Sequence, residues 1–204
     1  MSVANLVLKR MELLPERSWV RPADFGGGNA VELTLSRAAR DPEGLVVRAA
    51  KGLYFKSGPA DPVFGKRRPR PVEVAVQVAT DRGVGPAGAA AAAYFGLTTQ
   101  VPPFTELTVV GKPPTGVSGV RWSVRNNPLR ANLNFSETAV LELLTTYPVS
   151  VESTWKELTA AVQRKATTGE VDLPKVLNVA RKERRKPQLL QNVKQLAADL
   201  RVPA

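Results

Sequence analysis

A mixed α+β protein is predicted by three features of this 204-residue chain. Stretches with apolar residues three and four apart alternate with short β-prone runs bounded by glycine and proline. A 13-residue segment dense in proline, glycine and arginine, 59–71, cannot form a core and separates an N-terminal part, 1–58, from a C-terminal part, 72–204. Beyond it, helices and strands mix up to about residue 150, and only helical patterns follow, so the chain ends in a helical bundle. The net charge of +11 is also divided: residues 1–70 hold 13 Lys and Arg against 7 Asp and Glu, residues 71–150 hold 5 of each, and residues 151–204 hold 11 against 6.

Val3, Leu6, Val7, Met11 and Leu14 lie at helical spacing, which predicts a first helix over 2–14 with one apolar stripe, ended by Pro15. Ser18 to Arg21, centred on Trp19, is expected to be a short strand. Pro22 to Phe25 has room for one short helix. Gly26, Gly27 and Gly28 then supply a sharp turn through positive φ angles. Asn29 is the expected N-cap of a helix over 30–40, which turns Val31, Leu35, Ala38 and Ala39 inward. Asn29, Glu32, Leu33, Ser36, Arg37 and Arg40 fall on or beside the other face. Leu45–Arg48 and Gly52–Lys56 read as a hairpin carrying Arg48, Lys51, Tyr54 and Lys56. A short helix, a tight turn, a longer helix and a basic hairpin is the order of a winged helix-turn-helix. There the second helix enters the major groove and the wing grips the flanking backbone. The expected DNA contacts are Asn29, Glu32, Ser36, Arg37, Arg40, Arg48, Lys51, Tyr54 and Lys56. Lys66, Arg67, Arg68 and Arg70 of the extended connector are either a basic arm along the phosphates or charges that keep a solvated linker soluble.

In the C-terminal part Val72–Asp81 is read as a helix, with Val72, Ala75, Val76 and Ala79 on one side. The run GPAGAAAAAYFG predicts an alanine-rich helix that starts near Pro86 and stops at Gly96. Phe104–Val110 and Val117–Val124, joined by the turn-rich GKPPTGVSG, suggest an antiparallel pair with Trp122 in or beside the core. Ser136 is the expected cap of a helix over 137–147. Helices over 152–166, 173–185 and 187–200 complete the chain, and the last presents Leu189, Leu190, Val193, Leu196, Ala197 and Leu200 as one stripe. The basic run Arg181 to Lys186 is either a solvated turn or a contact surface.

Composition removes several classes of chemistry. With neither cysteine nor histidine, disulfides, thiolate or imidazole metal sites and histidine-based triads are excluded. No phosphate loop, dinucleotide fingerprint, nucleophile–base pair or placed carboxylate pair is found, so the chain is expected not to be an enzyme and to need no metal or cofactor. The absence of a leader or a long apolar run predicts a cytoplasmic protein without a membrane partner. A pI near 10.3, with no convincing amphipathic membrane helix, makes duplex DNA the expected partner.

Two motifs carry a resemblance. LSRAARDPEGLVVRAAKGLYF is similar to the N-terminal winged helix of the AbiEi antitoxins, the antitoxin half of abortive-infection (type IV) toxin–antitoxin pairs. Leu35, Ser36, Arg37, Gly44, Arg48, Gly52 and Tyr54 match in order, with Ala38 where leucine is usual. GPAGAAAAAYFGLTTQVP resembles the family's C-terminal signature at Pro86, Gly88, Gly96, Leu97, Thr98, Thr99, Gln100, Val101 and Pro102. Val109, Val110 and Gly111 replace its usual threonine–aspartate–glycine turn. The resemblance covers about residues 1–150 and implies an operator-binding transcriptional autorepressor of a bacterial phage-defence operon, which counteracts a co-encoded nucleotidyltransferase-like toxin. It would place antitoxin activity around Pro86, Gly88, Gly96, Thr99 and Gln100. A stand-alone winged-helix regulator, with a C-terminal domain for dimerisation or sensing, is the competing reading.

Overall fold

The computed structural model describes residues 2–59, 61–80, 83–100, 104–183 and 186–202. It is a mixed α+β protein with two three-stranded sheets among the described residues. The chain divides into two compact units, Met1–Val74 and Ala75–Ala204.

In the first unit, helix α1 (Val3–Leu13) is capped by the Ser2 hydroxyl, which accepts from Asn5 N–H, and buries Val7 and Met11. Val3 and Leu6, expected on the inward stripe, are about half exposed: α1 meets the unit along a seam narrower than its apolar face. Strand β1 (Trp19–Val20) leads into a 3₁₀ turn, Pro22–Phe25. Gly26, Gly27 and Gly28 all hold positive φ and deliver the chain to α2 (Asn29–Arg40). The N-cap is Gly28, not Asn29, because Gly28 is the last non-helical residue and its carbonyl accepts the first helical bond, from Glu32 N–H at 3.1 Å. Strands β2 (Val46–Ala50) and β3 (Leu53–Lys56) form the hairpin, and β1 pairs with β3, so the antiparallel order is β1-β3-β2. Val7, Met11, Val20, Val31, Leu35, Val46 and Tyr54 make the core beneath α1 and α2.

The segment after the hairpin is not extended throughout. Asp61 and Gly65 exchange backbone hydrogen bonds of 2.9 and 2.8 Å, and Asp61 Oδ1 accepts from Val63 and Phe64 N–H, which closes a turn with Phe64 at its exposed tip. Helix α3 (Pro71–Val78) follows, and the division between the units falls inside it.

The second unit is built on α5 (Phe135–Thr146), where every residue from Ser136 to Leu144 is buried. Its cap is Asn134 rather than Ser136. Asn134 Oδ1 accepts from Glu137 N–H and Glu137 Oε2 accepts from Asn134 N–H, a reciprocal box that starts the helix two residues early and leaves Ser136 to bond the Tyr94 hydroxyl. Around it lie α6 (Trp155–Thr167), α7 (Leu173–Arg181) and α8 (Pro187–Asp199), with Leu158, Val162, Val176, Leu177, Leu189, Val193 and Leu196 in the shared core. Full burial of each such side chain contributes about 1.5–3 kcal/mol, so this cluster is the main driving force of the unit.

Strand β4 (Gly85–Pro86), α4 (Gly88–Tyr94), β5 (Thr105–Val110) and β6 (Val120–Arg125) cover the other flank. Strands β5 and β6 are parallel, with Thr105 opposite Val120 and Val110 opposite Arg125, against the antiparallel expectation. Residues 111–119 explain it: nine extended residues span about 30 Å, more than the roughly 20 Å of a six-residue strand, so the connection can run back without a helix. The parallel register sets Arg125 beside the far end of β5, where it reaches α5.

Candidate nucleic-acid interface

One face of α2 is sealed by Val31 and Leu35, while Asn29, Glu32, Arg37 and Arg40 are exposed and Ser36 is half-buried. Leu33, which the sequence reading left out of the site, lies in the middle of that outward face at 48% exposure. Its signal was present: an unpaired leucine opposite the buried stripe of an amphipathic helix. Arg37 stands at one margin, where it also borders a groove with Leu8, Thr34, Ala38 and Asp41.

The hairpin divides its candidates. Arg48 on β2 and Lys51 in the turn are exposed. Tyr54 and Lys56 are not available as contacts, being 3% and 5% exposed. The reason is topological: β3 is the middle strand, so Tyr54 packs into the core under α1 and α2. The Lys56 ammonium runs beneath the end of α1 and donates to the carbonyls of Glu12, at 2.6 Å, and Leu14. These carbonyls lack partners at a helix C-terminus, and a buried cation there satisfies both the hydrogen bonds and the dipole.

The basic segment is only partly free. Lys66 Nζ donates to the Val46 carbonyl at 2.9 Å, and burial pulls its ammonium below the ordinary range against the attraction of Asp41. Arg70 is joined to Glu73 through its N–H at 2.7 Å and its guanidinium at 3.4 Å, and Arg17 reaches the same carboxylate at 2.8 Å. Burial pushes Glu73 up, but the hydrogen bonds and charge of Arg70, with Arg17, outweigh it and hold the carboxyl below its usual range. Arg67 and Arg68 are exposed.

In the second unit the five residues singled out by the signature do not converge. Pro86 is buried in β4 opposite Leu107, and Gly88 opens α4 with φ +52°. Gly96, φ +68°, follows the other end of α4 in the left-handed position expected of a helix stop. Thr99 and Gln100 are anchored instead to Glu152. Thr99 N–H and hydroxyl donate at 2.9 and 3.1 Å to one carboxylate oxygen, and Gln100 Nε2 donates at 2.9 Å to the other. These bonds, led by the Thr99 amide, lower the Glu152 carboxyl below its ordinary range. Val101 and Pro102 lie outside the described residues, as do Arg184 and Arg185 of the basic run. Arg181 and Lys182 of that run are exposed, while Lys186 pairs with Glu183 at 3.3 Å.

Sequence reading missed a buried ionic cluster. Arg130, fully buried, donates through Nη1 to Glu142 and through Nε to Glu183 at 2.6 Å, and Arg125 takes both oxygens of Glu142. Arg130 Nη2 has no hydrogen-bond partner among the described residues. Single charges spread from 125 to 183 give no local motif, so only the fold brings them together. The members are mutually neutralised hydrogen-bonded pairs, an arrangement suited to fixing β6, α5 and the end of α7 to one another.

Among the described residues no helix is long and apolar enough to cross a membrane, and no group of three or more acidic residues could hold a metal ion. No protein-family model matches the chain, and no curated protein matches it. Among solved structures, it is similar to the RV2827C protein from Mycobacterium tuberculosis, with a TM-score of 0.49 and 16% identity over 96% of this chain and 76% of that one.

Proposed function

We propose that the N-terminal unit is a winged helix-turn-helix that binds duplex DNA, and that the chain is the antitoxin and autorepressor of a bacterial toxin–antitoxin operon. The observation that carries the DNA half is the exposed face of α2, where Arg37 and Arg40 surround Leu33, beside a hairpin that presents Arg48 and Lys51. In this reading α2 lies in the major groove. Arg37 and Asn29 reach base edges, Leu33 packs on a thymine methyl, and Arg48 and Lys51 hold the phosphates of the flanking backbone. Arg67 and Arg68 extend the backbone contact. Lys66 and Arg70 act from within the folded unit, setting the path of the segment that carries them.

The antitoxin half rests on the sequence resemblance to the AbiEi family, and by it the counteracted protein is a co-encoded nucleotidyltransferase-like toxin. Because Thr99 and Gln100 are held by Glu152, their role in this reading is to shape the turn after α4. The test has two arms. The full chain should retard a duplex taken from upstream of its own gene more strongly than a random duplex, and its expression should restore growth to cells producing the protein encoded next door. Failure of the first arm rejects DNA binding, and failure of the second with matched soluble expression rejects antitoxicity while leaving a stand-alone regulator.

A further inference from the structure

A groove of about 610 Å³ runs along α8, lined by Leu190, Val193, Ala197 and Val202, with Arg181, Lys194 and Arg201 at its margins. Val193 and Ala197 are only 1% and 5% exposed and belong to the core of the unit, so the floor of the groove is the edge of that core. The lining positions recur three and four residues apart from 190 to 202. The groove therefore follows one face of α8 and its closing turn for about 18 Å, the length of roughly three helical turns. Ala197 and Ala198 near its centre leave room for another backbone to come close.

Its charge is one-sided. The lining contains three cations and no acid, and the one acidic residue of α8, Asp199, accepts instead from Trp155 Nε1 at 2.7 Å. Among the described residues none of the three cations stands in an ion pair. Arg201 also holds φ +51° at the turn that closes α8, where its N–H donates to the Ala198 carbonyl at 3.2 Å and Val202 N–H donates to that of Ala197 at 3.0 Å. Glycine or asparagine adopts that conformation at least cost. An arginine there keeps a cation on the margin at the expense of backbone strain.

We propose that this groove docks an amphipathic helix of a partner protein whose apolar stripe is flanked by carboxylates. An apolar floor three turns long fits the helix-in-groove mode, and the unpaired cations select an acidic occupant over a basic one. Nucleic acid would leave the apolar floor unused. A second copy presenting the same face would set like charges against each other. The proposal is independent of DNA binding and stands or falls without it.

The test titrates full-length protein into a fluorescein-labelled helical peptide, about 18 residues long, with leucines at i, i+4 and i+7 and glutamates on both flanks. The comparison peptide carries lysine for each glutamate. The glutamate peptide should bind, more weakly as salt rises, with amide shifts confined to Arg181 and residues 190–202. The K194E/R201E double variant should lose about tenfold in affinity for it and take up the lysine peptide instead. Arg201→Gly, which relieves the positive φ and so retains the fold, should also bind the glutamate peptide less tightly. Equal affinity for the two peptides, no binding of either, shifts outside this face, or self-association of the chain abolished by the double variant would overturn the proposal.

Discussion

Arg125 grips Glu142 with both arms of its guanidinium, Nε at 2.9 Å on one carboxylate oxygen and Nη2 at 2.6 Å on the other. Glu142 is fully buried, and Arg130 approaches the first of those oxygens from inside. Burial alone would push the Glu142 carboxyl up, but the hydrogen bonds from Arg125 and the charges of Arg130 and Arg125 outweigh it and the group titrates below its usual range. A lowered carboxyl pKa contributes stability that is present above the unfolded value, about 4.3, and lost as pH falls through the folded value. Denaturant unfolding of the second unit should therefore show a loss of stability below about pH 4 that Glu142→Gln no longer shows. At pH 7 that variant should be less stable by about 3–5 kcal/mol, because two guanidinium groups lose a buried partner.

Lys51 and Lys56 should part company when each is changed to alanine. Lys51→Ala should weaken binding to every duplex alike with no change in thermal stability, since the residue is exposed in the hairpin turn. Lys56→Ala strips the carbonyls of Glu12 and Leu14 of a buried charged donor and should cost about 1–3 kcal/mol, read as a lowered denaturation midpoint. Equal thermal stability of the two variants would reject the burial of Lys56.

The turn after α4 depends on Glu152. Changing Glu152 to alanine should speed hydrogen exchange at Thr99 N–H, which loses its acceptor. In the wild type, carbon-detected titration should find the Glu152 carboxyl below the normal glutamate range, and Thr99→Val should move it back up toward that range. An unmoved titration would mean that the Thr99 hydroxyl does not hold the carboxylate, since valine keeps the Thr99 N–H.

Two glycines should respond differently to alanine. A Cβ on Gly85 would meet the Thr138 side chain at 2.5 Å, an overlap that costs about 1–3 kcal/mol. At Gly96 the added Cβ finds open space but the backbone holds φ +68°, so the cost is about 1 kcal/mol and purely conformational. Thermal denaturation of the two variants, ranked Gly85→Ala below Gly96→Ala, checks both.

Local chemistry made much of this fold legible. The glycine triplet before α2, the inward stripe of Val31 and Leu35 and the stop at Gly96 all follow from short-range spacing and are where the sequence places them. What failed required knowledge of neighbours. Tyr54 and Lys56 belong to a hairpin whose pattern looks solvent-facing, and only their place in the middle strand buries them. The direction of β6 hinges on whether nine residues double back or run on, which no periodicity encodes. Asn134 displaced Ser136 as a cap because Glu137 completes a reciprocal pair with it, a signal three residues long that the serine obscured. The ionic cluster around Arg130 has no sequence signature at all, since its members come from β6, a 3₁₀ turn, α5 and the end of α7.

The central claim, that the α2 face and hairpin dock on duplex DNA, is tested most directly by the salt dependence of binding to an upstream duplex and to a random one, for wild type and Arg37→Ala. If about six phosphates are contacted, wild-type affinity should fall on the order of 10³-fold between 50 and 200 mM salt. Arg37→Ala should lose about 1–3 kcal/mol on the upstream duplex and much less on the random one. An affinity that does not change with salt, or equal losses on both duplexes for Arg37→Ala, would contradict the placement of α2 in the groove.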